Sequence, residues 1–328
     1  MINIALGFDK NFAKYACVTI KSILHNNNSK IKFYLMIDKS VSFVYRKYLT
    51  YLIESTENEV VFTDMSSKFN TLFSGNWSKA MYYPILLSSI CKDDRILFLD
   101  SDVVVNSDLK EFYNTDLTGV QCAAVQDYGM KSWIKQKHNI AISNNSNKKI
   151  SIDEYFSKIR KWDNNDIAKY FNSGVLLLNL KEMRKNNSEQ KMLEIVSKEK
   201  LACPDQDCFN ICFHNSVKIL PMNYNFMVVC DDVLSTLDVS DKEQYLKTIE
   251  ENNIPLLIHF LNKPWLGDIN KIPFGQIYYK YRNMLILKYL GEKSDVKKVV
   301  RFRISKKEIY LYLFGRKVFS KYFRKKEG

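Results

Sequence analysis

Asp100-Ser101-Asp102 follows directly on the apolar run Ile96-Leu97-Phe98-Leu99 and precedes Val103-Val104-Val105. Residues two apart on an extended backbone project to the same face, so the two carboxylates can grip one hard divalent cation from one side. Such triplets are common in surface loops. Between two apolar runs the reading changes, because burying two like charges is costly unless a cation or hydrogen-bond donors neutralise them. Cys203, Cys208, Cys212 and His214 also cluster and invite a zinc reading. Their spacings lack the two close pairs separated by a loop that zinc sites use. The seven scattered Cys, with no export signal, read as reduced and mostly buried small hydrophobes.

Positioning the two carboxylates is the task of the elements around them. Ile2–Phe8 is short and mostly apolar and reads as a buried first strand. Phe12, Tyr15, Ala16, Thr19, Ile20, Ile23 and Leu24 recur at helical spacing, which predicts an amphipathic helix over 12–25. Further strands are expected at Ile31–Ile37, Val60–Thr63, Ile96–Leu99, Val120–Val125, Val175–Leu180 and Leu256–Phe260. Helices are expected over Ser42–Glu54 and, apart from Pro84, over 78–91. This alternation implies an α/β sheet with parallel strands, whose ligands bind at the carboxyl edge. Residues 129–170 are polar and rich in Asn and Lys, and read as an insertion with helices of its own.

Several polar residues at strand ends carry two readings. Asp9 and Asn11 either meet a ligand or cap the helix that follows. His259 either ligates or sits satisfied in the core. Asp205-Gln206-Asp207 after Pro204 has the look of a helix first turn, where acidic residues favour the dipole. Asn172 and Asn179 suit strand-end caps as well. His25, His138 and His214 have no partner pattern and read as structural or exposed.

Composition excludes other classes. The 328 residues are 46% hydrophobic and 26% charged, with ten Gly and six Pro, so the chain is neither disordered, collagen-like nor a disulfide-stapled mini-protein. No apolar run approaches the roughly 20 residues that span a bilayer, and the start is too short for a secretory signal, which predicts a cytoplasmic protein. The net charge of +13 is uneven: residues 296–328 hold 12 Lys/Arg against Glu308 and Glu327, which leaves only +3 for the rest. Basic residues interleaved with Phe302, Tyr310, Tyr312, Phe314, Phe319, Tyr322 and Phe323 suit a segment lying in the headgroup layer of an anionic membrane. The same composition could bind RNA, but no nucleic-acid partner is expected.

Six motifs in one order give the chain a resemblance to the retaining glycosyltransferases of family 8. They are Ile4-Ala5-Leu6-Gly7-Phe8-Asp9-Lys10-Asn11-Phe12, Leu97-Phe98-Leu99-Asp100-Ser101-Asp102, Asp127, Phe171-Asn172-Ser173-Gly174, Pro204-Asp205-Gln206-Asp207, and Ile258-His259-Phe260 with Lys263-Pro264-Trp265. The resemblance implies a GT-A-type (Rossmann-like) mixed sheet flanked by helices. The resemblance covers roughly residues 2–265 and, with the composition, divides the chain into a catalytic domain over 1–270, a closing helix over 271–295 and the basic membrane-associating tail over 296–328. It further implies that Asp100, Asp102 and His259 hold Mn²⁺ or Mg²⁺. Gly7, Asp9, Asn11, Ser101, Asn172, Gly174 and Lys263 would contact the donor, Asp9 and Asn11 at its uracil end and Lys263 at its phosphates. Gln206 would lie nearest the anomeric carbon, with Asp205 and Asp127 holding sugar hydroxyls.

The implied activity is metal-dependent, retaining transfer of galactose or glucose from a UDP-hexose to a lipid-linked or oligosaccharide acceptor such as lipopolysaccharide or lipooligosaccharide. It would take place at the inner face of the cytoplasmic membrane. The alternatives are a catalytically inactive α/β protein that binds membrane or nucleic acid through its tail, and a metal-dependent phosphoesterase. Two departures from the family pattern stand out. Tyr83-Pro84 occupies the place of a donor-contacting Arg, and only Phe260-Leu261-Asn262 separate His259 from Lys263, so the phosphate loop is expected to be tight.

Overall fold

The central apolar runs become strands because they are buried on both faces, whereas the edge and hairpin strands keep exposed positions. In this computed structural model, which describes residues 1–70, 72, 78–142, 145–285, 300–304, 308–313 and 316–322, the strands are β1 (Ile2–Phe8), β2 (Ile31–Ile37), β3 (Glu59–Asp64), β4 (Arg95–Leu99), β5 (Val103–Val105) and β6 (Cys122–Val125). They continue with β7 (Asn139–Ile142), β8 (Asn145–Ser151), β9 (Val175–Asn179), β10 (Val217–Leu220), β11 (Phe226–Met227) and β12 (Leu257–His259). The contacts divide the chain into one unit over Met1–Tyr278 and another over Tyr279–Gly328.

Seven strands form the main sheet in the order β10-β6-β9-β4-β1-β2-β3. The pairs β1–β2, β1–β4, β2–β3 and β10–β6 are parallel, while β9 runs antiparallel to both β4 and β6. The sheet is therefore mixed and not wholly parallel. This single reversal builds the site: β9 enters the sheet at the edge where β1, β4 and β6 leave it. Asp100 N–H donates to the Gly174 carbonyl (2.8 Å), Asn172 N–H to that of Val125 (2.9 Å) and Asp127 N–H to that of Tyr170 (3.0 Å). A smaller sheet, β11-β12-β5, pairs His259 with Val103, the residue after Asp102.

Helices cover the sheet, and one apolar cluster runs from Ala5 and Phe98 through Leu176 and Leu178 to Phe209. The helix Ala13–Asn26 packs Ala16, Cys17, Ile20 and Ile23 inward. The helix expected over 78–91 is a 3₁₀ stretch, Lys79–Leu86, followed by a single α turn, Leu87–Ile90. Pro84 accounts for this, since its ring clashes with the preceding turn of an α-helix and it offers no N–H.

The insertion holds the helix Tyr128–Lys135 and also a hairpin, β7 with β8, that its polar composition hides. It has a core of its own around Met130, Ile140, Ile152, Tyr155, Phe156 and Tyr170. Of the expected closing helix, Gly275–Asn283 is helical, and residues 286–299 lie outside the described ones. The tail contains β13 (Val300–Ile304), β14 (Glu308–Leu313) and β15 (Arg316–Tyr322), paired antiparallel in that order. Its remaining basic residues, Lys297, Lys298, Lys306, Lys307, Arg324, Lys325 and Lys326, lie outside the described residues.

Candidate functional site

Asp100 follows β4, Asp102 precedes β5 and His259 ends β12, and one ligand atom from each lies within 4.8 Å of the others. Among the described residues, this is the group of His, Cys, Asp and Glu side chains that converges so closely. His259 Nε2 is 3.2 Å from Asp102 Oδ1 and 3.9 Å from Asp100 Oδ2. Asp102 and His259 are buried, whereas the Asp100 side chain keeps 44% of its surface open to the cavity. Lys263 Nζ donates to Asp102 Oδ2. Burial works against the Asp102 charge, but Lys263 and His259 outweigh it and hold this carboxyl well below the usual carboxylate range. Enclosure by the protein and then the charge of Asp102 push the Asp100 carboxyl upward.

A divalent cation fits this geometry. Asp102 Oδ1 is buried without a hydrogen-bond donor while it faces the His259 ring and Asp100. Two carboxylates and an imidazole form a donor set for a divalent ion. Gly174 makes the arrangement possible. A Cβ there would lie 2.4 Å from His259 Cε1 and 2.6 Å from Asp100 Oδ2, so only glycine leaves room for both ligand side chains.

A second group of polar side chains meets the first through Asn172. Its Oδ1 accepts from Gly174 N–H (3.0 Å), and its Nδ2 donates to Asp127 Oδ2 (2.9 Å) and Gln206 Oε1 (3.2 Å). Gln206 Oε1 also accepts from Ser173 N–H at 3.1 Å, and Ser173 Oγ donates to Asp205 Oδ2 at 3.3 Å. Asp127 caps the helix Tyr128–Lys135 by accepting from Met130 N–H (2.6 Å). Asp205 and Gln206 stand in the first turn of the helix Pro204–Cys212. Burial pushes the Asp205 carboxyl up to about 6, against the pull of its backbone N–H partners and Ser173. Asp207 does different work. It accepts from Tyr155 Oη (2.7 Å), Tyr170 Oη (2.6 Å) and Ala202 N–H (2.6 Å), which ties the insertion to this helix.

Both groups open on one cavity of about 790 Å³. Gly7, Asp9, Asp100, Ser101, Asp102, Asp127, Asn172, Asp205, Gln206, His259 and Lys263 line it; Asn11 and Gly174 stand outside the lining. Asp9 does not cap the helix Ala13–Asn26, whose N-cap, Phe12, has no side-chain bond. It lines the cavity and accepts from the N–H groups of Asn11 (2.8 Å) and Phe12 (3.3 Å) in the turn before the helix. Asn11 is exposed and turns its amide back to Asp9. Asn179 is a helix cap, accepting from Glu182 N–H (3.1 Å).

Tyr83 is buried behind Gly7, where an added Cβ would come 3.3 Å from Tyr83 Cβ. The loop after His259 is tight, as its length requires: Leu261 N–H returns to the His259 carbonyl (3.0 Å), and Trp265 stacks on Tyr15 with ring centroids 3.9 Å apart. The Cys203–His214 cluster forms no ligand set; its thiols are free, and His214 stacks on Trp162 and meets Asp166 at 2.9 Å. One site residue escapes sequence reasoning. Asn225 is fully buried, with Oδ1 3.2 Å from His259 Nδ1. Its only trace in the sequence is an amide directly before the apolar run Phe226-Met227-Val228-Val229.

Comparison with known proteins agrees with this geometry. The sequence profile of glycosyl transferase family 8 matches residues 3–268. A lipopolysaccharide 1,2-glucosyltransferase of Escherichia coli is 27% identical over 277 residues, which cover 80% of this chain and 73% of that protein. Among solved structures, the WbbM bifunctional glycosyltransferase superposes with a TM-score of 0.74 at 23% identity, over 88% of this chain and 50% of that one. The galactosyltransferase LgtC, solved with donor and acceptor sugar analogs, gives 0.62 at 20% identity over 87% of this chain and 96% of that one. These likenesses identify the mixed sheet and its helices as the GT-A fold. With a profile match over most of its length and the carboxylate pair at the end of β4, the chain belongs to glycosyl transferase family 8 and is a hexosyltransferase.

Proposed function

We propose that this chain transfers glucose or galactose from a UDP-sugar to a cell-surface glycan acceptor such as lipopolysaccharide or lipooligosaccharide, with retention of the anomeric configuration. The observation that carries the reading is the opening of the Asp100–Asp102–His259 triad and the Asp127–Asn172–Asp205–Gln206 group on one cavity. The names of the relatives support the sugar and acceptor classes, lipopolysaccharide for the E. coli protein and donor and acceptor sugars for LgtC.

Asp100, Asp102 and His259 would hold Mn²⁺ or Mg²⁺, which when bound neutralises the pyrophosphate charge that develops as the nucleotide leaves. Lys263 adds a point charge for the phosphates. Gly7, Asp9 and Ser101, which line the cavity, form the nucleotide end. Gln206 carries a carboxamide, a poor nucleophile, and is assigned to stabilising positive charge at the anomeric carbon. Asp127 and Asp205 take sugar hydroxyls. The basic, aromatic tail holds the protein to the inner leaflet, where lipid-linked acceptors are presented.

The test is incubation with Mn²⁺ and a panel of nucleotide-sugars, followed by proton NMR of the anomeric signal. Slow release of UDP from an α-linked UDP-hexose, and an α-linked product once an acceptor is found, are expected. A β-linked product would overturn retention. Turnover of no UDP-sugar, with phosphate released from simple esters, would favour a phosphoesterase.

A further inference from the structure

Asn225 has no exposed surface and stands one residue before Phe226, which pairs with Ile258 in β12. Its Oδ1 faces His259 Nδ1 at 3.2 Å, and its Nδ2 donates to Asn172 Oδ1 at 3.0 Å. The direction of these bonds is set by the main chain. Gly174 N–H donates to Asn172 Oδ1 and Ser173 N–H to Gln206 Oε1, and a backbone N–H can only donate. Asn172 Oδ1 is thus an acceptor, Asn225 must offer it the NH₂ group, and the Asn225 carbonyl is left for the imidazole. A carbonyl opposite Nδ1 places the ring proton there and leaves the Nε2 lone pair aimed at Asp102 and Asp100.

We propose that Asn225 is a positioning residue that couples the cation site to the sugar pocket. One carboxamide fixes the Nδ1–H tautomer of His259 and, through Asn172, the pairing of Asp127 and Gln206. The cation half of this inference rests on the metal reading given above. The two ends of the side chain can be separated by substitution. Asn225→Asp keeps an acceptor for Nδ1–H but sets a second oxygen against Asn172 Oδ1. Asn172 cannot turn to relieve this without presenting its NH₂ to Gly174 N–H. The sugar pocket should therefore suffer while the cation site survives. Asn225→Leu removes both bonds.

Two measurements on the full chain decide the matter. ¹⁵N NMR of the four imidazoles, with the His259 signal assigned by its loss in His259→Gln, is expected to show Nδ1 protonated and Nε2 bare. Calorimetry with Mn²⁺ alone is expected to show wild-type affinity in Asn225→Asp, with kcat for UDP-hexose hydrolysis down at least about tenfold. In Asn225→Leu, Mn²⁺ affinity should fall by about 10–100-fold. An Nε2-protonated His259, or unchanged Mn²⁺ affinity in Asn225→Leu, overturns the proposal. Equal losses of Mn²⁺ affinity and kcat in Asn225→Asp overturn the coupling. If the wild-type chain binds no Mn²⁺, the metal reading fails, and the tautomer measured on the wild-type chain still decides whether Asn225 orients His259.

Discussion

Gly174 sets the tolerance of the whole site, because a methyl group there would strike His259 and Asp100 at once. Gly174→Ala should weaken Mn²⁺ binding and lower turnover by roughly 10²-fold or more, while the fold, buried elsewhere, melts within a few degrees of wild type. Calorimetry and a thermal melt check this; full activity in the variant would mean that the ligands do not need the space. Asp102→Ala should cost turnover at least about 10²-fold, and excess chelator should silence the wild-type enzyme until Mn²⁺ is restored. Activity that persists in chelator would sink the metal assignment.

Asp205 invites a test of stability against function. Its folded value of about 6 lies above the ordinary carboxylate value, so the fold disfavours its charge. The resulting destabilisation is absent below about pH 4, grows as pH rises toward 6 and is constant above. Asp205→Asn should therefore stabilise the protein by about 1–3 kcal/mol at pH 8 and by nothing at pH 3.5, while sugar transfer falls. Melting curves at the two pH values decide it. A variant less stable at pH 8 would mean that hydrogen bonds favour the charge more than burial opposes it.

At the scale of elements, β1 and β4 were legible because each is a mostly apolar run that stops at a charged residue, Asp9 after Phe8 and Asp100 after Leu99. The direction of β9 was not. A strand buried on both faces has the same composition whichever way it runs, and Val175–Asn179 carries no mark of its reversal. β10 escaped because it is an edge strand of four residues, half exposed. The hairpin of the insertion escaped because four residues of alternation are too few to stand out from Asn and Lys. In the candidate site, the carboxylates were legible as charged residues at strand ends. Asn225 was not, because a buried amide reveals its role only through the partners that the fold gives it.

Trp265, at the end of the loop that follows β12, stacks on Tyr15. Trp265→Ala should release Lys263 from its fixed place and raise KM for the donor more than it lowers kcat, as steady-state kinetics would reveal. A change in kcat alone would place the loop in the chemical step.

At the scale of the molecule, charge and fold are divided. Residues 296–328 carry +10 of the +13, whereas the described residues that line the cavity fall between Gly7 and Lys263. Each Lys or Arg near an anionic leaflet contributes about 1 kcal/mol, screened as salt rises. A chain ending at Asp295 should stay off anionic liposomes in a sedimentation assay, still hydrolyse UDP-hexose, and lose activity chiefly on acceptors embedded in lipid. If the shortened chain sediments with vesicles as the full one does, the tail is not the anchor.

The same scale shows how the cavity is put together. Asp9, Asp100, Asp127, Asn172, Gln206 and His259 come from six distant places in the chain, and the last ligand sits on β12, beside the strand that follows Asp102. During synthesis, Asp100 and Asp102 leave the ribosome long before the residues that neutralise them. A nascent chain halted before His259 has neither that imidazole nor the lysine at 263, and β5 has no partner strand to hold it. Nucleotide-sugar affinity should therefore appear abruptly, and not by degrees, once about 30–40 residues beyond Lys263 have been added and the ligand has cleared the exit tunnel; this span is an order-of-magnitude figure from the extended reach of a chain. Ribosome-bound chains arrested at successive lengths would show where that step falls, and so would make donor binding a signal that translation of the catalytic body is complete.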